Sequence, residues 1–157
     1  MIKLYLGADH AGFALKESIK KWLSKKKIPF QDLGNTVLEP KDDYPDFAEK
    51  VARAVARAKA PSARHQREET FGILCCGSAQ GMAIAANKVK GIRAVVPFSL
   101  KEAQLSREQN NANVLCLSGW YFSSAKAIAL VQKFLHTKFS GAERHKRRLR
   151  KIERMEK

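Results

Sequence analysis

An apolar run ends on two cysteines and opens into a turn of small residues in ILCCGSAQGMAIAANK, Ile73 to Lys88. Cys76 is the last residue of that run, so the backbone N–H groups of Gly77, Ser78, Ala79, Gln80 and Gly81 follow it directly. Such groups, backed by a helix starting near Gly81, favour a thiolate and can hold an oxyanion that develops on a substrate. The pairing suits proton abstraction alpha to a carbonyl through an enediolate. It also suits acyl transfer, although the chain offers no obvious histidine with an orienting partner unless the fold brings in His10. Most free cysteines are small buried apolar residues, and Cys75 and Cys116 fit that description.

A second group with chemical potential is GADHAG, Gly7 to Gly12. It lacks the GxGxxG spacing of a dinucleotide fingerprint, and its carboxylate would crowd a pyrophosphate. Taken alone, Asp9 reads as a turn residue capping the next helix and His10 as a surface imidazole. In SREQNNANVL, Gln109, Asn110 and Asn111 stand where a helix should stop before a strand. Arg144 and Arg148 lie one helical turn apart in GAERHKRRLR, a spacing that would set two guanidinium groups on one face to fork a phosphate. A solvated basic helix is the commoner outcome for such runs.

Positioning these groups falls to an alternation of short apolar runs and amphipathic stretches. Strands are predicted at 2–6, 29–33, 71–76, 93–96 and 114–117, and helices at 13–26, 44–59, 81–88, 100–109, 123–139 and from about Glu143. Strands that each precede a helix imply a parallel sheet covered on both faces, a doubly wound α/β domain with a C-terminal basic helix. In such folds ligands bind beyond the carboxyl ends of the strands, where Asp9, His10 and the 77–81 loop fall. The segment Ala60 to Thr70 reads as a polar loop at the opposite end.

A chain of 157 residues, 45% of them hydrophobic, suffices for one domain spanning 1–157. No segment approaches the roughly 18 apolar residues of a membrane span, and MIKLYLGADH enters a strand pattern without a signal peptide, so a cytoplasmic protein is expected. Three cysteines without paired-ligand spacing predict free thiols and no metal. The formal charge of +15 raises the question of nucleic acid. Its distribution argues against it: Lys20, Lys21, Lys25, Lys26 and Lys27 close a helix as solvated cations that complement its dipole, while the basic run from Arg144 to Lys157 could bind phosphate, RNA or only water.

In order along the chain, GADHAG, DDYPDFA, CCGSAQGMAIAANKVKGIRA, QLSREQNNANVL and the RH followed by a further arginine resemble the ribose-5-phosphate isomerase B family of sugar-phosphate isomerases. The resemblance covers nearly the whole chain. It implies a metal-free, cofactor-free aldose–ketose isomerase with a Rossmann-like five-stranded sheet, a homodimer that can pair into a tetramer, with active sites that borrow residues across the interface. By that similarity Cys76 moves the proton between C1 and C2, Ser78 assists at the oxygens, and the N–H groups of Gly77, Ala79, Gln80 and Gly81 hold the enediolate. Asp9 and Tyr44 would position hydroxyls, Asn110 would bind substrate, and His10, Arg144 and Arg148 would meet the phosphate. Some relatives use a glutamate base where this chain has Met82, which favours the cysteine version.

Two departures bear on the substrate. Relatives carry a ring-opening histidine where this chain has Gln109, whose amide has no pKa near neutrality. They also carry a phosphate-binding arginine where this chain has Trp120. The pentose phosphate pair is the expected substrate; a six-carbon sugar phosphate and a non-catalytic binding role are the rivals.

Overall fold

A computed structural model describes residues 2–58 and 69–156 of the chain. Five parallel strands run β1 (Ile2–Ala8), β2 (Phe30–Asp32), β3 (Glu69–Cys76), β4 (Ala94–Val95) and β5 (Val114–Ser118), in the spatial order β2-β1-β3-β5-β4. Six helices accompany them: α1 (Phe13–Lys25), α2 (Tyr44–Ala58), α3 (Gln80–Ala86), α4 (Leu100–Glu108), α5 (Ser124–His136) and α6 (Glu143–Glu153). The predicted elements are all present, with ends moved by a few residues. Of the segment expected as a loop, Glu69 and Thr70 instead begin β3, and residues 60–68 lie outside the described residues, as does Lys59.

The helices divide between the two faces because their apolar positions recur every three or four residues. Phe47, Ala48, Val51, Ala52 and Val55 form one stripe of α2 and pack with Met82 and Ala83 of α3 on one face of the sheet. Leu15, Ile19 and Leu23 of α1 meet Ala103 of α4 and Leu130, Val131 and Phe134 of α5 on the other. Each buried leucine or valine contributes about 2 kcal/mol of burial free energy. β3 is buried along seven of its eight residues, as a central parallel strand covered on both sides must be.

Local signals fix several boundaries. Ser99 accepts from the Glu102 N–H while the Glu102 carboxylate accepts from the Ser99 N–H, a reciprocal cap that starts α4. α5 stops at His136, three residues short of the predicted end, where Thr137 turns to extended backbone. The asparagines after α4 do structural work: Asn111 takes a left-handed φ of 46°, and the Asn113 side chain accepts from Arg93 N–H at 2.7 Å and donates to Gly91 C=O at 2.8 Å. Lys20, expected as a solvated cation, is instead 2.7 Å from Asp32, which also pairs with the fully buried Lys16. No helix among the described residues is long and apolar enough to cross a membrane.

Candidate active site

β1 and β3 are neighbours, and their connections leave in opposite directions: β1 leads to β2 on one side, β3 to β4 and β5 on the other. A crevice beyond the carboxyl ends of these two strands is therefore dictated by topology. Ala8 pairs with Cys75, so Asp9 and Cys76 leave the sheet side by side. The Asp9 N–H donates to Cys75 C=O at 3.3 Å.

Alternation along β3 sends the two thiols to opposite faces. Cys75 is fully buried in the cluster with α1 and α5, whereas Cys76 sits with α2 and α3 at 4% exposure. The N–H groups of Met82, Ala79 and Ser78 hydrogen-bond toward the Cys76 sulfur. Ala79 reaches this arrangement with a φ of 69°, a left-handed conformation that costs a non-glycine residue about 1–2 kcal/mol. The N–H cradle anticipated from the sequence is present, but it does not lower the thiol's pKa. Burial is the largest influence and the Asp9 charge adds to it, so the Cys76 thiol lies above its ordinary value despite the three N–H groups. Alkylation of Cys76 by iodoacetamide should accordingly be slow at pH 7 and accelerate with a midpoint above pH 9, as followed by peptide mass spectrometry. A rate already independent of pH below 8 would contradict this balance.

Aromatic rings bracket the loop. A side chain at Gly77 would lie 2.5 Å from the Trp120 ring, and one at Gly81 would lie 2.7 Å from the Tyr44 ring, so glycine is what lets both rings close on the backbone. The Trp120 backbone N–H donates to Gly77 C=O at 3.2 Å, Ser118 Oγ donates to the same carbonyl at 2.6 Å, and the Trp120 side chain remains largely exposed. Tyr44 is delivered as the first residue of α2, whose apolar stripe seats it against β1 and β3. Ser78 is half-buried, with Oγ accepting from Gln80 N–H at 3.3 Å; the Gln80 side chain is exposed.

Asp9 and His10 have different surroundings. Asp9 is 7% exposed and accepts from Gly12 N–H at 2.9 Å, closing the turn before α1; the helix itself starts at Gly12 without a side-chain cap, so Asp9 is not the capping residue expected from the sequence. Burial holds its carboxyl above the ordinary value against that N–H and the His10 charge. His10 is exposed, and both its N–H and its Nδ1 meet Asp42 Oδ1, at 2.9 and 2.8 Å. That bond to Asp42 raises its pKa above the ordinary imidazole value. The sequence reading gave Asp42 no role and met Trp120 only as a departure; the acidic pair before Tyr44 was the available signal for the first.

The structure thus unites Asp9, His10, Tyr44 and Cys76 to Gly81. It does not bring Gln109, Asn110, Arg144 or Arg148 to them within one chain. Gln109 caps the end of α4 and Asn110 follows it, at the amino-terminal end of β5, a strand length of roughly 15 Å from the crevice. α6 is tied to the same end: Ser140 N–H donates to Glu108 C=O, Gly91 N–H donates to Glu156, and a cleft of about 670 Å³ is lined by Asn110, Leu149 and Ile152 among others. Arg144 and Arg148 are exposed on that helix, Arg144 Nε donating to His145 Nε2 at 3.3 Å. Among the described residues no cluster of histidine, cysteine and carboxylate side chains could hold a metal.

Comparison with known proteins gives a consistent pattern. The ribose/galactose isomerase family model matches residues 4–152. A probable ribose-5-phosphate isomerase B of Mycoplasma genitalium is 41% identical over 154 residues, covering 98% of this chain and 95% of the relative. Ribose-5-phosphate isomerase B of Escherichia coli is 37% identical over 156 residues, covering 99% and 97%. The crystal structure of the Mycoplasma genitalium enzyme with bound ribulose-5-phosphate superposes with a TM-score of 0.88 at 40% identity, covering 99% of this chain and 96% of that one.

Proposed function

The chain belongs to the ribose/galactose isomerase family, and from that premise we propose that it interconverts D-ribose 5-phosphate and D-ribulose 5-phosphate as a cytoplasmic homodimer without metal or cofactor. The observation that carries this reading is the thiol of Cys76 at a strand end beneath three N–H groups, one strand from a buried Asp9. In the open-chain aldose the Cys76 thiolate takes the proton from C2, and electron density moves to the carbonyl oxygen at C1. The enediolate is then held by Ser78 and the N–H groups of Gly77 to Gly81; Ser78 Oγ gives its proton to O1 and takes the one on O2 as C2=O2 forms, and the thiol returns its proton to C1. Burial raises the cost of forming the thiolate, while the same exclusion of water strengthens the N–H dipoles that act on the charge developing on the substrate.

Asp9 and Tyr44 orient the sugar hydroxyls in this reading. A second copy of the chain supplies Gln109, Asn110, Arg144 and Arg148, because one chain leaves them at the far end of its sheet. The Trp120 ring against Gly77 narrows the loop and favours the five-carbon substrate over a six-carbon one. The test is turnover of ribose 5-phosphate beside allose and galactose 6-phosphates by the pure protein. A kcat/KM for the pentose about tenfold or more above either hexose is expected; a preference for a hexose would give the site to the longer substrate, and no turnover of any would leave a binding protein.

A further inference from the structure

The sequence leaves a gap in the chemistry. Ribose 5-phosphate closes through O4 into a furanose, and proton abstraction at C2 requires the open aldehyde. Gln109 can neither donate nor accept a proton at neutral pH. Among the groups united at the crevice, His10 is the one whose ordinary pKa lies near the working pH.

Its surroundings are built rather than incidental. Asp42 holds it twice, through the backbone N–H and through Nδ1. The other oxygen of Asp42 accepts from Asn35 Nδ2 at 2.9 Å. Asn35 in turn is held from below: its carbonyl accepts from Lys16 Nζ at 2.6 Å, and Lys16, 0% exposed, is paired with Asp32 at 2.7 Å. This series of bonds runs from the interior of α1 through the loop before α2 to a ring that is 45% exposed, while the Asp42 carboxylate is 7% exposed. With Nδ1–H committed to Asp42, Nε2 has no hydrogen-bond partner among the described residues.

We propose that Asp42, backed by Asn35 and Lys16, is a positioning residue that fixes the tautomer and orientation of His10, and that His10 Nε2, which the family resemblance would put at the phosphate, is instead the proton shuttle that opens the cyclic aldose. The proposal rests on the isomerase reading of the site. In the step, Nε2 takes the proton of the anomeric O1–H, the C1–O4 bond breaks as C1=O1 forms, and the proton passes from Nε2 to O4. Protons and electrons balance with no further reactant. The charged groups that act on His10 are Asp42, from the loop before α2, and Asp9, its neighbour at the end of β1; both favour the imidazolium and raise the His10 pKa above the ordinary imidazole value.

The equilibrium constant fixes the ratio of kcat/KM in the two directions, so the informative quantity is a ceiling. Consumption of ribose 5-phosphate is measured at rising enzyme concentration and compared with spontaneous furanose opening, determined by NMR exchange without enzyme. The parent should exceed the spontaneous rate. Asp42→Asn and His10→Gln should plateau at it, about 100-fold below the parent at the highest enzyme concentration, while ribulose 5-phosphate, which has no furanose form, is still turned over. The His10 resonance, identified by its loss in His10→Gln, should titrate above 6.5 in the parent and move down in Asp42→Asn. A variant rate that climbs past the spontaneous one, or an unshifted His10 titration, would overturn the proposal. If the parent turned over neither sugar, the isomerase reading would fall instead, and the titration, which needs no substrate, would still decide whether Asp42 positions His10.

Discussion

Replacing Cys76 with alanine is expected to lower turnover of ribose 5-phosphate and ribulose 5-phosphate about a thousandfold or more, with the fold and sugar-phosphate binding retained. The thiol is the one candidate base at the end of β3, and the side chain that replaces it keeps the same strand register and the same N–H cradle. Its removal leaves a void the size of one sulfur, at a stability cost of about 1 kcal/mol. Cys75→Ala is the internal control. It empties a comparable volume on the opposite face of the same strand, and its activity should stay near the parent's. A Cys76→Ala protein with normal turnover, or a Cys75→Ala protein that folds normally and is equally dead, would remove the distinction between the two thiols.

The second large effect is expected from mixing subunits. Cys76→Ala alone lacks the base, and Arg148→Ala alone loses phosphate binding, so each homodimer should be nearly inactive at low substrate. In a mixed dimer one site carries both lesions and the other carries neither, provided that each site takes its thiol from one chain and its arginine from the other. Random reassortment of equal amounts makes half of the dimers mixed, so roughly a quarter of the parent sites should return. Cys76 is at the carboxyl end of β3, whereas α6 is fastened to Glu108 and Gly91 at the other end of the sheet, so one chain does not bring the two together. Activity that stays at the sum of the two variants, in a mixture shown by mass spectrometry to contain mixed dimers, would contradict sharing.

The fold was legible because its signals are local and periodic. The apolar stripe of α2, the capping pair Ser99 and Glu102, and the continuous burial of β3 can each be read from a few consecutive residues. The Cys76 loop was legible for the same reason, since its thiol and N–H groups are contiguous. Its charge balance was not, because burial decides the thiol's pKa, and the cluster that buries it draws in Phe47, Val51 and Cys116 from distant parts of the chain. Asp42 escaped notice likewise: it meets His10 across 32 residues, by way of a loop with no regular pattern. Lys20 read as one of several solvated lysines because the carboxylate it finds, Asp32, belongs to the next element, β2, rather than to its own helix.

The account turns on Cys76 as the group that moves the proton, and solvent hydrogen wash-in tests that most directly. Parent and Cys76→Ala proteins are incubated in deuterium oxide with ribulose 5-phosphate, and deuterium at C1 of the recovered ketose and at C2 of the aldose is followed by NMR at equal enzyme concentration. The parent should carry deuterium into these positions as turnover proceeds, and Cys76→Ala should show none over the same interval while still binding the sugar phosphate. Wash-in by Cys76→Ala at the parent's rate would show that another group removes the proton and would contradict the account.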